Sequence, residues 1–228
     1  GLIMLKIETS GKSCGAIVTG VDFEKEFTDR EIKTVIEAIY EYKCLVIKNQ
    51  NFTYSGYKRF GQEWGELIKH MLDYLRVPDF PEMMIIGNTE KKDKDDAIRN
   101  GAAVWHSDGT YISDSTTITM LHAKKTPLKG GETLVADLMK AYEDLDEKLK
   151  KEINGLEALH FYGKAEFDKD EHLPAPIRTD TQKQTNPICK KPIVLNHPFS
   201  GKKSLYGITH SPFKIIGKTD KETKIILK

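Results

Sequence analysis

The chain has 228 residues, 39% hydrophobic and 30% charged, which is enough for one large domain with a real core and too apolar for a disordered segment. A formal net charge of +1 gives no basic bias towards nucleic acid or anionic membrane. No apolar run is long enough to span a bilayer. Cys14, Cys44 and Cys189 are scattered and odd in number, so they make neither a disulfide framework nor a zinc pattern. A cytoplasmic location is the expectation.

Residues 3–9 and 13–19 alternate apolar and polar and predict two short strands around Ser10-Gly11-Lys12. Thr28 to Glu31 has the capping-box form, and Ile32, Val35, Ile36 and Ile39 mark the inner face of the helix behind it. Cys44-Leu45-Val46-Ile47 reads as a buried strand. Tyr54 to Gly65 predicts a second helix, whose Tyr57, Phe60 and Trp64 serve the core. Met83-Met84-Ile85-Ile86 reads as another buried strand. The charge-dense stretch 90–101 reads as a solvated loop leading into Trp105-His106-Ser107-Asp108, a position suited to a lid.

Ser115 to Ala123 and Glu132 to Ala136 are rich in β-formers and predict strands flanking the turn cluster Thr126-Pro127-Leu128-Lys129-Gly130-Gly131. Asp137 is the expected N-cap of a short helix, and Asp146 to Asn154 a second, closed by Gly155. Leu156 to Tyr162 reads as a strand. Residues 163–192 lose all periodicity and are expected to be a lid or a disordered segment. Ile193-Val194-Leu195 and Ser204-Leu205-Tyr206 flank a β-turn over 196–203. A last helix begins near Thr219. Many short strands with a few interposed helices predict a single, mainly β domain, a sandwich or barrel with peripheral helices.

His106 and Asp108 are the candidate chemistry. Two residues apart in a β-rich stretch, they point to one side and offer an imidazole nitrogen and a carboxylate oxygen. That is two thirds of the 2-His-1-carboxylate triad that holds non-haem Fe(II). By itself the pair is common by chance.

Four stretches in order make it more specific: Trp-His-Ser-Asp at 105–108, Thr-Pro-Leu-Lys-Gly-Gly-Glu-Thr-Leu at 126–134, Ala-Tyr-Glu-Asp-Leu at 141–145 and His-Pro-Phe-Ser-Gly-Lys-Lys-Ser-Leu-Tyr at 197–206. Together they resemble the taurine dioxygenase family of Fe(II)- and 2-oxoglutarate-dependent oxygenases, over about residues 5 to 225. The resemblance implies a double-stranded β-helix (jelly roll), with His106 and Asp108 as iron ligands. It places Thr133 on a carboxylate of 2-oxoglutarate and His70 facing the substrate. It also implies Fe(II) as cofactor, 2-oxoglutarate as co-substrate, dioxygen and a small polar substrate, anionic or amino-acid-like. Decarboxylation of 2-oxoglutarate to succinate and CO2 would accompany substrate oxidation. Nucleic acid and membrane are not expected partners, and a homo-oligomer is left open.

The family pattern is not complete here. Ala102 stands where the taurine enzyme has a substrate-contacting Asn, and Asp73 replaces an aromatic residue, which argues against taurine itself. The resemblance places the third ligand, a distal His, and the arginine that binds the far carboxylate of 2-oxoglutarate beyond Lys228. The domain is therefore expected to be incomplete at its C-terminal end. His197 and His210 are the other candidates for the third ligand, although His197 occupies a turn where the family's histidine is not a ligand. His122, His160 and His172 read as structural or solvated. The competing reading is an inactive jelly-roll binding module. An intact Asp108 argues against halogenation.

Overall fold

The computed structural model describes residues 4–87, 102, 104–114, 116–161, 187–198, 200–208 and 212–227. Its N-terminal part begins with β1 (Lys6–Thr9), antiparallel to β2 (Ala16–Thr19), with Lys6 opposite Thr19 and Thr9 opposite Ala16. The chain then crosses through α1 (Asp29–Tyr42) to β3 (Leu45–Ile47), which pairs parallel to β2. A parallel pair needs such a crossover, because a tight turn cannot reverse the chain twice.

The predicted capping box of α1 is formed. The Glu31 amide donates to Thr28 Oγ1 (3.1 Å) and the Thr28 amide donates to Glu31 Oε1 (2.9 Å). The helix ends at Lys43, which turns left-handed at φ 69° and donates its amide to the Ile39 carbonyl. Ile32, Val35 and Ala38 are its buried face. Ile32 and Val35 meet Val18, Phe23, Phe52 and Phe60 in the first core. Phe60 comes from α2 (Tyr54–Gln62), capped by the Thr53 hydroxyl. Its ring stacks on Phe23 at 4.6 Å and on Phe52 at 5.4 Å between centroids. Tyr57 and Trp64 pack against the same cluster, as the helical spacing predicts.

A short hairpin, β4 (Arg76–Val77) and β5 (Phe80–Met84), follows. The strand expected to continue through Ile85 and Ile86 stops at Met84, and both isoleucines are about half exposed or more. β3 is likewise only half buried, with Val46 50% exposed.

The second core lies further along the chain. α3 (Leu138–Glu143) starts at Asp137, whose carboxylate accepts from the Met139 and Lys140 amides. α4 (Glu147–Ile153) starts at Asp146 in the same way. β6 (Glu157–His160) is the centre of a three-stranded antiparallel sheet. Its neighbours are β7 (Cys189–Pro192) and β10 (Pro212–Ile215). β8 (Val194–Asn196) and β9 (Lys203–Leu205) form the predicted hairpin around the 197–202 turn. α5 (Asp220–Leu227) closes on β10, where the buried Thr223 hydroxyl accepts from the Ile215 amide. Ile153, Ala158, Ile193, Leu205 and Ile215 fill this core. Lys43 reaches across to Asp137 at 2.7 Å and ties the end of α1 to the start of α3.

Three expectations are corrected. The described residues 116–123 of the Ser115–Ala123 stretch and Glu132–Ala136 form no strand. Leu121, Leu134 and Val135 are 67%, 73% and 54% exposed there. A β-rich composition describes side chains that suit a pleated surface; a strand also needs a neighbouring backbone to pair with. Within the aperiodic stretch 163–192, Cys189–Pro192 forms β7, because its backbone pairs with β6 from Glu157–Pro192 to His160–Cys189. Most of the two suggested lids, 90–101 and 163–186, lies outside the described residues. The described strands fall into two three-stranded and two two-stranded sheets, with helices packed on them.

Candidate metal centre

His106 and Asp108 sit on an irregular segment between the two cores rather than in a strand. The reversal after Asp108 is made by Gly109 at φ +69°. A Cβ at Gly109 would come within 1.9 Å of Thr116 Oγ1, so glycine is needed both for the backbone conformation and for the close approach of Thr116. The Ile112 amide donates to the Gly109 carbonyl and closes the turn.

The turn brings the two candidate ligands together, with His106 Nε2 3.1 Å from Asp108 Oδ1. His106 Nδ1 lies 2.8 Å from the Val104 carbonyl oxygen. A carbonyl only accepts, so Nδ1 carries the proton and a neutral ring presents its Nε2 lone pair to the carboxylate. Two acceptors facing each other at that distance call for a cation, either a second proton on the ring or a metal. Ligands bound at ~2.1 Å and 90° to each other lie ~3.0 Å apart, so the separation is compatible with two ligands of one ion, as it is with a hydrogen bond from a protonated ring. The carbonyl bond to the far ring nitrogen also has the form that fixes a metal-bound imidazole. The Asp108 side chain is 50% exposed and that of His106 28%, so the pair can be reached from outside.

No third member joins them: among the described residues no group of three His, Cys, Asp or Glu side chains converges. His197 caps its own turn, accepting from the Ser200 amide at Nδ1, with its ring against Tyr40. His122 belongs to the first core, against Phe52 and Tyr57. His172 and His210 lie outside the described residues.

The other two predicted site residues have no contact with the pair among the described residues. Thr133 is exposed in the extended stretch after Gly130 and Gly131, whose φ angles of 81° and 79° confirm the turn there. His70 is held by its own neighbourhood. Its amide donates to the Pro81 carbonyl, its carbonyl accepts from Arg76, and its Nδ1 accepts from the Leu72 amide at 3.1 Å. That last bond leaves the ring proton on Nε2. Burial pushes the His70 pKa down, so the ring stays neutral. The departures at Ala102 and Asp73 are an exposed turn residue and the first residue of a 3-10 turn. A shallow cleft lined by Asn51, Phe52, Thr53, Tyr54 and Lys124 contains none of the predicted site residues.

The sequence reading missed what anchors the turn. Thr110 is buried, 2% exposed, beneath the exposed pair. Its hydroxyl lies 3.2 Å from His160 Nδ1 on β6, and its carbonyl accepts from the Cys189 thiol on β7 at 3.4 Å. Lys191, also on β7, donates to the Ser113 carbonyl at 2.8 Å. The only advance signal was a polar residue, His160, at an inward position of an alternating strand. Burial and the neighbouring Lys191 charge push its pKa down to about 4.

The turn thus brings His106 and Asp108 together at the surface, on a scaffold of small sheets and helices. The chain belongs to the taurine catabolism dioxygenase TauD, TfdA family, whose model matches residues 6–222. It is 29% identical over 160 residues to the alpha-ketoglutarate-dependent 2,4-dichlorophenoxyacetate dioxygenase of Burkholderia sp. (strain RASC), covering 68% of this chain and 52% of that protein. It is 28% identical to the (S)-phenoxypropionate/alpha-ketoglutarate-dioxygenase of Sphingobium herbicidovorans, covering 84% of this chain and 66% of that one. The chain thus spans about half the length of the first of these relatives. Its fold resembles the crystal structure of a taurine dioxygenase from Burkholderia xenovorans, with a TM-score of 0.70 at 21% identity, over 98% of this chain and 70% of that one. No helix among the described residues is long and apolar enough to cross a membrane.

Proposed function

We propose that this chain is the larger part of an Fe(II)- and 2-oxoglutarate-dependent dioxygenase domain with the jelly-roll architecture of its family. The substrate would be a small polar molecule, anionic or amino-acid-like. The observation that carries the reading is the bite of 3.1 Å between His106 Nε2 and Asp108 Oδ1, with Nδ1 already committed to the Val104 carbonyl. When bound, Fe(II) with 2-oxoglutarate supplies dioxygen activation, and 2-oxoglutarate leaves as succinate and CO2.

The chain's own residues have separable tasks in this reading. His106 and Asp108 would hold the ion together with a third protein ligand, leaving access for the co-substrate. Thr133 donates its hydroxyl to a carboxylate of 2-oxoglutarate. His70, neutral and protonated on Nε2, donates that proton to an anionic group of the substrate. An anionic substrate also suits the relatives, whose names specify 2,4-dichlorophenoxyacetate and phenoxypropionate.

The test is succinate release from 2-oxoglutarate by the full-length protein with Fe(II), scored with and without small carboxylates and sulfonates. Turnover that depends on iron and disappears in His106→Ala supports the reading. A full-length protein that takes up neither Fe(II) nor 2-oxoglutarate would refute it and favour a binding module.

A further inference from the structure

We infer that His160 is a positioning residue, which fixes the turn carrying Asp108 through its bond to the Thr110 hydroxyl. The inference rests on the reading of His106 and Asp108 as metal ligands and extends it to the sheet beneath them.

His160 is wholly buried, at 0% exposure, on the central strand of its sheet. One ring nitrogen meets Thr110 Oγ1 at 3.2 Å, and the other, Nε2, is buried with no hydrogen-bond partner among the described residues. If the site only needed filling, a leucine at 160 with a valine at 110 would fill it and orphan nothing. A histidine kept there despite an unpaired nitrogen is better explained by the bond it does make. Thr110 is two residues from Asp108.

The surroundings leave both side chains little freedom. Gly207, at φ +55°, lies over the pair, and a Cβ there would come within 2.7 Å of His160 Cε1 and 3.2 Å of Thr110 Cγ2. The Cys189 thiol and Lys191 ammonium hold the backbone at Thr110 and Ser113 from the adjacent strand. Among the described residues, the exposed turn is therefore registered on β6 and β7 at the Thr110 hydroxyl, the Thr110 carbonyl and the Ser113 carbonyl, and of these bonds the His160–Thr110 one joins two side chains. A metal site needs such support, because ligands on an irregular segment hold their geometry only when neighbouring groups fix them.

The experiment uses the full-length protein and Mn(II) as an air-stable probe of the metal site. Four variants are compared for Mn(II) affinity and unfolding temperature: Thr110→Val, Thr110→Ser, His160→Leu and the double Thr110→Val/His160→Leu. Thr110→Val is expected to lose affinity by about tenfold, the range seen when an outer partner of a metal ligand is removed. Thr110→Ser, which keeps the hydroxyl, should bind like the wild type. The double variant removes both partners and orphans no nitrogen, so it should unfold near the wild-type temperature yet bind Mn(II) as weakly as either single variant. A double variant that binds as tightly as the wild type overturns the inference. So does a loss of affinity in the single variants that merely follows their unfolding temperature and is recovered in the double. A wild-type protein that binds no Mn(II) overturns the dioxygenase reading instead, and the positioning role with it.

Discussion

The N-terminal core and the ligand turn are built by opposite rules. In the first, each element satisfies itself locally: the capping box of α1, the Thr53 cap of α2 and the β1–β2 ladder all join residues close in sequence. Its aromatic centre of Phe23, Phe52 and Phe60 then excludes water. The turn at 104–114 contains no regular element, exposes its two candidate ligands, and is held by β6 and β7 from as far as 79 residues away. The difference separates two kinds of stability. One region sets whether the chain folds. The other sets whether His106 and Asp108 stay together, as the proposed metal site requires.

The comparison breaks most readily at the ligands. His106→Ala and Asp108→Ala are each expected to weaken Fe(II) or Mn(II) binding by the full-length protein on the order of a hundredfold. Their unfolding free energy should change by less than about 0.5 kcal/mol, because both side chains reach the surface and neither fills a core. Calorimetric titration and denaturant unfolding read the two quantities separately. The converse variant is Phe60→Ala, which should cost about 3–5 kcal/mol by removing a ring stacked on two others. If metal loss in the ligand variants came with unfolding of that size, the two regions would not be separable.

The same contrast explains what could be read in advance. The caps at Thr28 and Asp137, the helix starting at Asp146, the aromatic face of α2 and the hairpin around 197–202 follow from short-range rules, and each is present. The pairing of His106 with Asp108 was legible because two residues suffice to define it. The failures lie where a distant partner decides. Residues 116–123 have β-forming side chains and pair with no strand among the described residues, whereas Cys189–Pro192 has two lysines and a proline and forms a strand because β6 lies beside it. His160 read as merely structural because nothing within ten residues of it points to Thr110. The roles of Thr133 and His70 rest on the family resemblance.

Acid should expose the link between the regions. His160 has its pKa lowered from 6.5 to about 4 by burial and by Lys191. The unfolded chain therefore binds the extra proton more readily, and stability falls as pH drops from about 6.5 towards 4. The full depression corresponds to about 3 kcal/mol, an upper bound because local opening can relieve it. His70, also shifted down by burial, adds to the slope with the same sign. Denaturant midpoints measured between pH 7.5 and 4.5 should fall in the wild type and fall less steeply in His160→Leu. Equal slopes would mean that His160 is already open to protons in the folded protein.

The smallest expected effect is the cleanest control on the comparison. Thr28→Ala removes the hydroxyl that accepts from the Glu31 amide and leaves the first turn of α1 with one more unpaired donor. The expected loss is about 1 kcal/mol, or about 2–4 °C in unfolding temperature for a chain of this size. Thr28→Ser should recover most of it, since serine caps as well as threonine. Mn(II) affinity should not change in either variant, because α1 is tied to the second core through Lys43 and Asp137 at its far end and Thr28 takes no part in that tie. If weakening the α1 cap also loosened the metal, the ligand turn would be sensing the first core as well as β6 and β7. The division between a folding region and a positioning region would then have to be redrawn around α1.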